Sequence, residues 1–232
     1  MTCDHGAIRR ADSTEKKIAI VFTGDEFGEG GEYILNTFKK GNIKASFFLT
    51  GNFYSNPAFH KLIAQLKSAG HYLGPHSNRH LLYCDWTKRD SLLVTKDSFV
   101  RDLKENYSQL KKFGIDASHA RYFLPPYEWY NDSIAVWTKS LGLQLVNYTP
   151  GTISHADYTT PDLTNYRTSD EIIQSIFNYE KSHQNGLNGF ILLMHIGAGE
   201  KRTDKFYLKL PELITWLKQK KYNLVRIDEL LR

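Results

Sequence analysis

Cysteine is nearly absent: Cys3 and Cys84 are the only two in 232 residues. With Cys3 almost at the start of the chain, neither a disulfide framework nor a thiolate zinc site can be assembled, so any metal must be held by histidine and carboxylate. Proline (7) and glycine (16) are too few for a collagen-like or Pro-rich disordered chain. No stretch reaches the ~18 to 20 apolar residues that span a bilayer, and Met1 opens into polar sequence without the apolar core of a signal peptide. The sequence as it stands reads as soluble, and a secretory signal already removed would make the setting secreted or periplasmic. A block of like charge is missing too. Lysine and arginine (30) outnumber aspartate and glutamate (25), for a formal +5, but the two signs are interspersed. The densest basic run, Lys218 to Lys221, is interrupted by Gln219, which is too diffuse for nucleic-acid binding. Nothing in the chain fixes an oligomeric state.

What is present is enough apolar residue, 41%, to bury a core. Residues 1–16 show no sustained periodicity and read as a lead-in to one domain over 17–232. Strand-like and helix-like patterns then alternate. Lys17 to Thr23 suits a buried strand and Gly30 to Lys40 a helix. Ala45 to Thr50 follows as a strand, Pro57 to Ala69 as a helix stopped by Gly70, and His71 to Gly74 as a short strand. Val94 to Phe113 is a long amphipathic helix, Arg121 to Leu124 a strand, Asn131 to Leu141 a helix and Gln144 to Asn147 a strand. Residues 149–168 form a long turn-rich connection of the kind that is more often functional than idle, and His155 and Asp157 within it could reach a site. Ser169 offers an N-cap for a helix over Asp170 to His183. Gly189 to His195, a helix from Phe206 to Lys220, the strand Tyr222 to Val225 and a turn at Asp228 to Leu231 complete the chain. Seven or eight β/α units with strands apolar on both faces predict parallel strands wrapped by helices, as a (β/α) barrel or, second, a doubly wound open sheet.

Both architectures place their sites at the C-terminal ends of the strands. Those positions carry Gly24-Asp25-Glu26, His76-Ser-Asn-Arg-His80, Pro125-Pro126-Tyr127-Glu128-Trp129 and His195. One carboxylate and two histidines form a ligand set suited to Zn²⁺ or a related divalent ion with positions left open for water and substrate. A His-x3-His pair alone is weak evidence and reads first as two ordinary core or surface histidines; its place beside Asp25 gives it weight.

These segments, in this order, resemble the polysaccharide deacetylase domain (NodB homology, carbohydrate esterase family 4) over residues 17 to 226. Phe22-Thr23-Gly24-Asp25 aligns with the family's Thr-Phe-Asp-Asp motif, and His76, Ser77 and His80 meet its His-Ser/Thr-x-x-His motif in full. Leu124-Pro125-Pro126-Tyr127 corresponds to Arg-Pro-Pro-Tyr, and Leu193-Met194-His195 to Leu-x-His. The resemblance implies a distorted (β/α)7 barrel, a divalent metal, with zinc expected, on Asp25, His76 and His80, His195 as the acid, and the Tyr127 backbone N–H as oxyanion donor. Pro126, Trp129 and Leu193 are the expected substrate contacts, with Trp86 and Tyr130 as further rings that could stack on sugar. It also implies an acetylated carbohydrate as partner and removal of N-acetyl or O-acetyl groups from a poly- or oligosaccharide.

Three departures stand out. Gly24 replaces the family's catalytic-base aspartate, Leu124 replaces the arginine that pairs with that base, and the Asp-x-x-Asp-Trp motif is not evident near Asn147 to Thr152. Losing the first two together is coherent, since an arginine left without its carboxylate would be costly to desolvate. Glu128, where the family usually has glycine, and Glu26 are the carboxylates that could serve as base. The alternatives are a carbohydrate-binding pseudoenzyme that keeps the metal site, and a hydrolase of a non-sugar amide.

Overall fold

Residues 1–232 are described by a computed structural model. The lead-in is not featureless: β1 (Thr2–Asp4) and β2 (Ala7–Arg10) pair as an antiparallel hairpin turned by His5 and Gly6, both at positive φ. A Cβ at Gly6 would stand 2.6 Å from the Ala135 Cβ, so the turn needs glycine for its φ and for its close approach.

The alternation then runs as the periodicity predicts. β3 (Lys17–Gly24), α1 (Gly31–Gly41), β4 (Ser46–Leu49), the short α2 (Gly51–Ser55), α3 (His60–Ser68) and β5 (Tyr72–Pro75) form the first half. The second half comprises α4 (Lys96–Lys112), β6 (Tyr122–Phe123), α5 (Asp132–Ser140), β7 (Gln144–Leu145), α6 (Ser169–Ser182), β8 (Phe190–His195), α7 (Leu210–Gln219), β9 (Asn223–Leu224) and α8 (Ile227–Leu230).

β8, β3, β4 and β5 form a parallel sheet in that order, β2 edges β8, and β6 and β7 make a separate parallel pair. The seam between β5 and β6 is held by the Tyr72 hydroxyl, which accepts the Tyr122 N–H at 3.0 Å. On the far side the Thr149 N–H donates to the Ile191 carbonyl at 3.0 Å. The sheet therefore curls into a distorted barrel rather than lying open, and the doubly wound alternative is set aside.

Strand alternation sorts the core into two layers. Ile18, Ile20 and Phe22 face outward with Phe47, Leu192 and the helices, whereas Ala19 and Val21 face inward with Phe48, Tyr72, Leu124 and Leu193. Phe22 stacks on Phe47 at 5.1 Å and meets the edge of Phe38 at 5.9 Å; each such ring, fully buried, contributes roughly 1.5–3 kcal/mol. Ile227, Leu230 and Leu231 join the inner layer, so α8 plugs the lower end while the strand C-termini open at the upper one.

Several boundaries shift for local reasons. α6 is capped by Thr168 rather than Ser169, because Thr168 and Glu171 form a reciprocal capping box and Ser169 Oγ donates to the Asp204 carbonyl. α2 is too short to leave a periodic signature. The helices expected from Pro57 and Phe206 both begin with a tighter 3₁₀ turn. No helix is long and apolar enough to cross a membrane.

Candidate active site

A pocket of about 320 Å³ opens at the upper end of the barrel, and each of its walls follows a strand. Thr23 and Asp25 come from the end of β3, His76 and His80 from the loop after β5, Tyr127 and Glu128 from the turn after β6, Tyr158 from the long connection after β7, and His195 from the end of β8.

The histidine rim is built by buried polar groups beneath it. His76 is buried, and its Nδ1 donates to the Leu124 carbonyl at 2.8 Å, which leaves the Nε2 lone pair free. Burial and the neighbouring His80 hold its pKa well below the usual imidazole range. Asn106 accepts the His76 N–H at 3.1 Å and donates to the Leu49 carbonyl. The buried Asp102 carboxylate accepts the N–H groups of Asn78 (2.8 Å) and Arg79 (3.1 Å), and Ser77 Oγ accepts that of His80. These bonds hold Ser77 and His80 in the left-handed region and bring the two imidazole rings to 5.1 Å. Asp25 is oriented by Thr50 Oγ1 (2.7 Å) and Asn52 Nδ2 (3.1 Å), both of which donate to its Oδ1. The donor set suits a divalent ion in kind: a carboxylate aimed by two donors and a neutral imidazole with its second nitrogen free. Its three members line one pocket without closing into a tight three-ligand cage.

Across the pocket, His195 Nδ1 lies 2.6 Å from Asp157 Oδ1, and the His195 N–H donates to Oδ2 at 2.8 Å. Burial alone would lower the imidazole's pKa, but the Asp157 carboxylate and the more distant Glu128 outweigh it and leave it raised. Tyr158, beside Asp157, lays its ring 4.9 Å from that of His195. Glu128 is half-buried, and burial pushes its carboxyl up to about 7 against the opposing pull of His195. Tyr127 and Glu128 have φ of 57° and 53°, a left-handed backbone that costs a non-glycine residue about 1 kcal/mol or more. The turn is anchored by Asn147 Nδ2, which donates to the Glu128 carbonyl at 2.8 Å.

The model of the polysaccharide deacetylase family matches residues 10–146, more than half of the chain. The chain belongs to that family. It is 27% identical over 218 residues to a peptidoglycan-N-acetylglucosamine deacetylase of Listeria monocytogenes, covering 94% of this chain and 39% of that protein. The chain thus spans well under half the length of that relative. A family 4 carbohydrate esterase pseudoenzyme of Bacillus anthracis superposes with a TM-score of 0.76 at 20% identity, over 99% of this chain and 70% of that one. The chitin deacetylase of Colletotrichum lindemuthianum does so at 0.73 and 17% identity, over 99% and 93%.

Placed on this deacetylase fold, the residues named from the sequence separate. Asp25, His76, His80, Tyr127, Glu128, His195 and Glu26 line the pocket, Glu26 as an exposed rim residue. Pro126 and Leu193 are buried beneath it, Trp129 stands behind Trp86 rather than on the wall, and Tyr130 is buried with its hydroxyl on the Asp4 carbonyl. Gly24 lines the pocket with its backbone only: a Cβ there would stand 2.6 Å from Ile196 Cγ2 and 2.9 Å from Leu49 Cδ2, in the outer apolar layer. The inward position on that turn is Thr23, whose buried hydroxyl has no hydrogen-bond partner. His155 stacks on Tyr148 instead of reaching the pocket. The partner of His195 is Asp157, five residues beyond the stretch Asn147 to Thr152 in which the family motif is not evident. Asp102, Asn106 and Thr50 had no signal in the sequence, since each acts through a contact that only folding creates.

Proposed function

We propose that the chain is a metal-dependent hydrolase that removes N-acetyl, or O-acetyl, groups from a poly- or oligosaccharide, with the N-acetyl of an N-acetylglucosamine unit as the favoured target. The observation that carries this reading is one pocket holding a His195–Asp157 pair, the Asp25, His76 and His80 donor rim, and a carboxyl near neutrality. A divalent ion on Asp25, His76 and His80, with zinc favoured by the donor types, would supply fixed positive charge where the acyl oxygen becomes negative.

The protein groups divide the proton transfers. Glu128, poised near the working pH, takes the proton of the attacking water as its oxygen adds to the acyl carbon. His195, whose proton affinity Asp157 raises, gives its proton to the departing nitrogen as the C–N bond breaks, leaving a free amine and acetate. Glu128 is favoured over Glu26 because its strained backbone persists at a position where glycine would be relaxed. The test is acetate release from a β-1,4-linked N-acetylglucosamine tetramer with and without chelator, alongside elemental analysis of wild type, His76→Ala and His80→Ala. About one ion per chain in wild type, lost in both variants, and chelator-sensitive release are expected. Full metal content in both variants would remove the ligand assignment.

A second reading, a carbohydrate-binding pseudoenzyme, is motivated by Thr23, a hydroxyl on the inward side of the turn where the family carries its base. Sugar binding with no acetate release under any metal would establish it.

A further inference from the structure

Two large apolar rings at the pocket mouth, Phe27 and Trp86, are left out of the hydrolytic chemistry, and Trp86 is the more exposed. Trp86 lines the pocket with 55% of its surface exposed, yet its plane is fixed from behind. Its ring stacks on Trp129 at 5.7 Å and 28°. The Trp129 indole N–H donates to the Asp85 carbonyl at 3.1 Å, tying the second ring to the residue that precedes the first. The Arg89 guanidinium lies 4.4 Å from the Trp129 centroid, while its Nε donates to the Tyr130 carbonyl at 2.6 Å and Asn131 Nδ2 donates to the Arg89 carbonyl. The loop is closed by a Cys84–Leu92 bridge and by the Asp85 carboxylate, which accepts the N–H groups of Thr87 and Lys88. Tyr127 meets Trp86 edge-on at 5.7 Å and reaches His80 at 4.4 Å, so the exposed indole stands one aromatic ring away from the histidine rim.

We propose that Trp86 is the outer face of a prebuilt stacking platform that takes the pyranose ring next to the one being deacetylated. The inference rests on the deacetylase reading for the identity of the neighbouring sugar, and on this chain's own rings for the platform. A pyranose presents a flat C–H face whose partial positive charge matches the negative face of the indole, with hydroxyls around its edge that stay solvated. A surface of this kind binds best when its ring needs no ordering, and the Trp129–Arg89 backing has already fixed it. The pocket itself, at about 320 Å³, is sized for little more than the reacting unit, so a second sugar must lie outside it, on the rim that Trp86 and Tyr127 form.

The experiment compares binding of N-acetylglucosamine with that of its β-1,4-linked tetramer, followed by tryptophan emission and indole N–H shifts, in wild type, Trp86→Phe, Trp86→Leu and Trp86→Ala. The tetramer should bind wild type at least about tenfold more tightly than the monomer, with Trp86→Phe keeping most of that preference and Trp86→Leu and Trp86→Ala losing it. Trp86→Leu retains apolar bulk, so it reports the loss of the aromatic face even if the alanine variant folds poorly. A tetramer no better than the monomer in wild type, or the same preference in Trp86→Leu as in wild type, overturns the platform. Acetate release in the same samples separates the two claims. Trp86-dependent tetramer binding without release keeps the platform and removes the deacetylase reading, whereas release with an unchanged preference in Trp86→Leu does the reverse.

Discussion

Two carboxylates around His195 divide the work at the residue level. Burial opposes the charge of Glu128 and pushes its carboxyl up to about 7, while Asp157 raises the proton affinity of His195, the base and acid of the proposed mechanism. Glu128→Gln keeps volume and hydrogen bonding but removes the proton acceptor, and should lower kcat by roughly 10²-fold or more while elemental analysis shows unchanged metal. Glu26→Gln, on the exposed rim, should cost far less; a larger loss there would transfer the base to Glu26. Asp157→Asn removes the carboxylate that raises the His195 pKa. The imidazole signal in an NMR titration should therefore move to lower pH, and kcat at neutral pH should fall by at least about tenfold as the acid loses its proton too early. An unmoved His195 titration would show that another group sets its charge.

At the element scale, the upper turn of β3 explains why restoring an aspartate is not a matter of sequence position alone. Residue 24 faces the outer layer, where Ile196 and Leu49 leave no room for a Cβ. Gly24→Asp should therefore destabilise the protein by about 1–3 kcal/mol from overpacking, and more if the carboxylate stays charged, without raising deacetylation. Chemical denaturation together with acetate release checks this, and a stable Gly24→Asp with higher turnover would show that the turn can rotate the side chain into the pocket. The loop after β5 illustrates the opposite case. Its two left-handed residues, Ser77 and His80, are held by Asp102 and Asn106 of α4, so one helix determines the geometry of a histidine rim it does not contribute to.

Over the whole molecule, the lower end of the barrel carries a group that links stability to pH. His71 packs edge-on to Phe38 and Phe47 at 6.0 and 5.3 Å, and its Nδ1 accepts the Ala45 N–H at 3.0 Å, which requires the neutral ring. Burial, reinforced by Lys44 and Arg226, lowers its pKa from 6.5 to about 4. The unfolded chain thus binds more protons than the folded one between these values, and stability present above 6.5 is lost as pH falls through the window. The expected loss is about 2 kcal/mol by pH 5 and about 3 kcal/mol by pH 4. Urea unfolding of wild type and His71→Phe across this range should show the slope flattened in the variant, which will also be less stable at pH 7 because the Ala45 N–H loses its acceptor. Parallel pH curves would assign the dependence elsewhere.

The alternation of apolar runs and helical spacing narrowed the fold to a barrel or a doubly wound sheet, and the residues that follow each run named most of the rim: Asp25, His76, His80, Glu128 and His195 are legible because both architectures gather the strand ends. The direction of a side chain at a strand end is another matter. Gly24 and Thr23 are neighbours in sequence but face different layers, and only the pairing of β3 with β8 and β4 decides which one meets the pocket. The His195–Asp157 contact spans 38 residues and a connection without periodicity, so the folded path of that connection had to supply it. The same holds for Trp129 and Trp86, both of which could be sugar-stacking rings in the sequence; packing against Arg89 turned one into the backing and left the other as the exposed face. Local pattern encodes where the chain bends and which residues arrive at the rim, whereas burial, partner and direction are properties of contacts between distant segments and exist only once the barrel has closed.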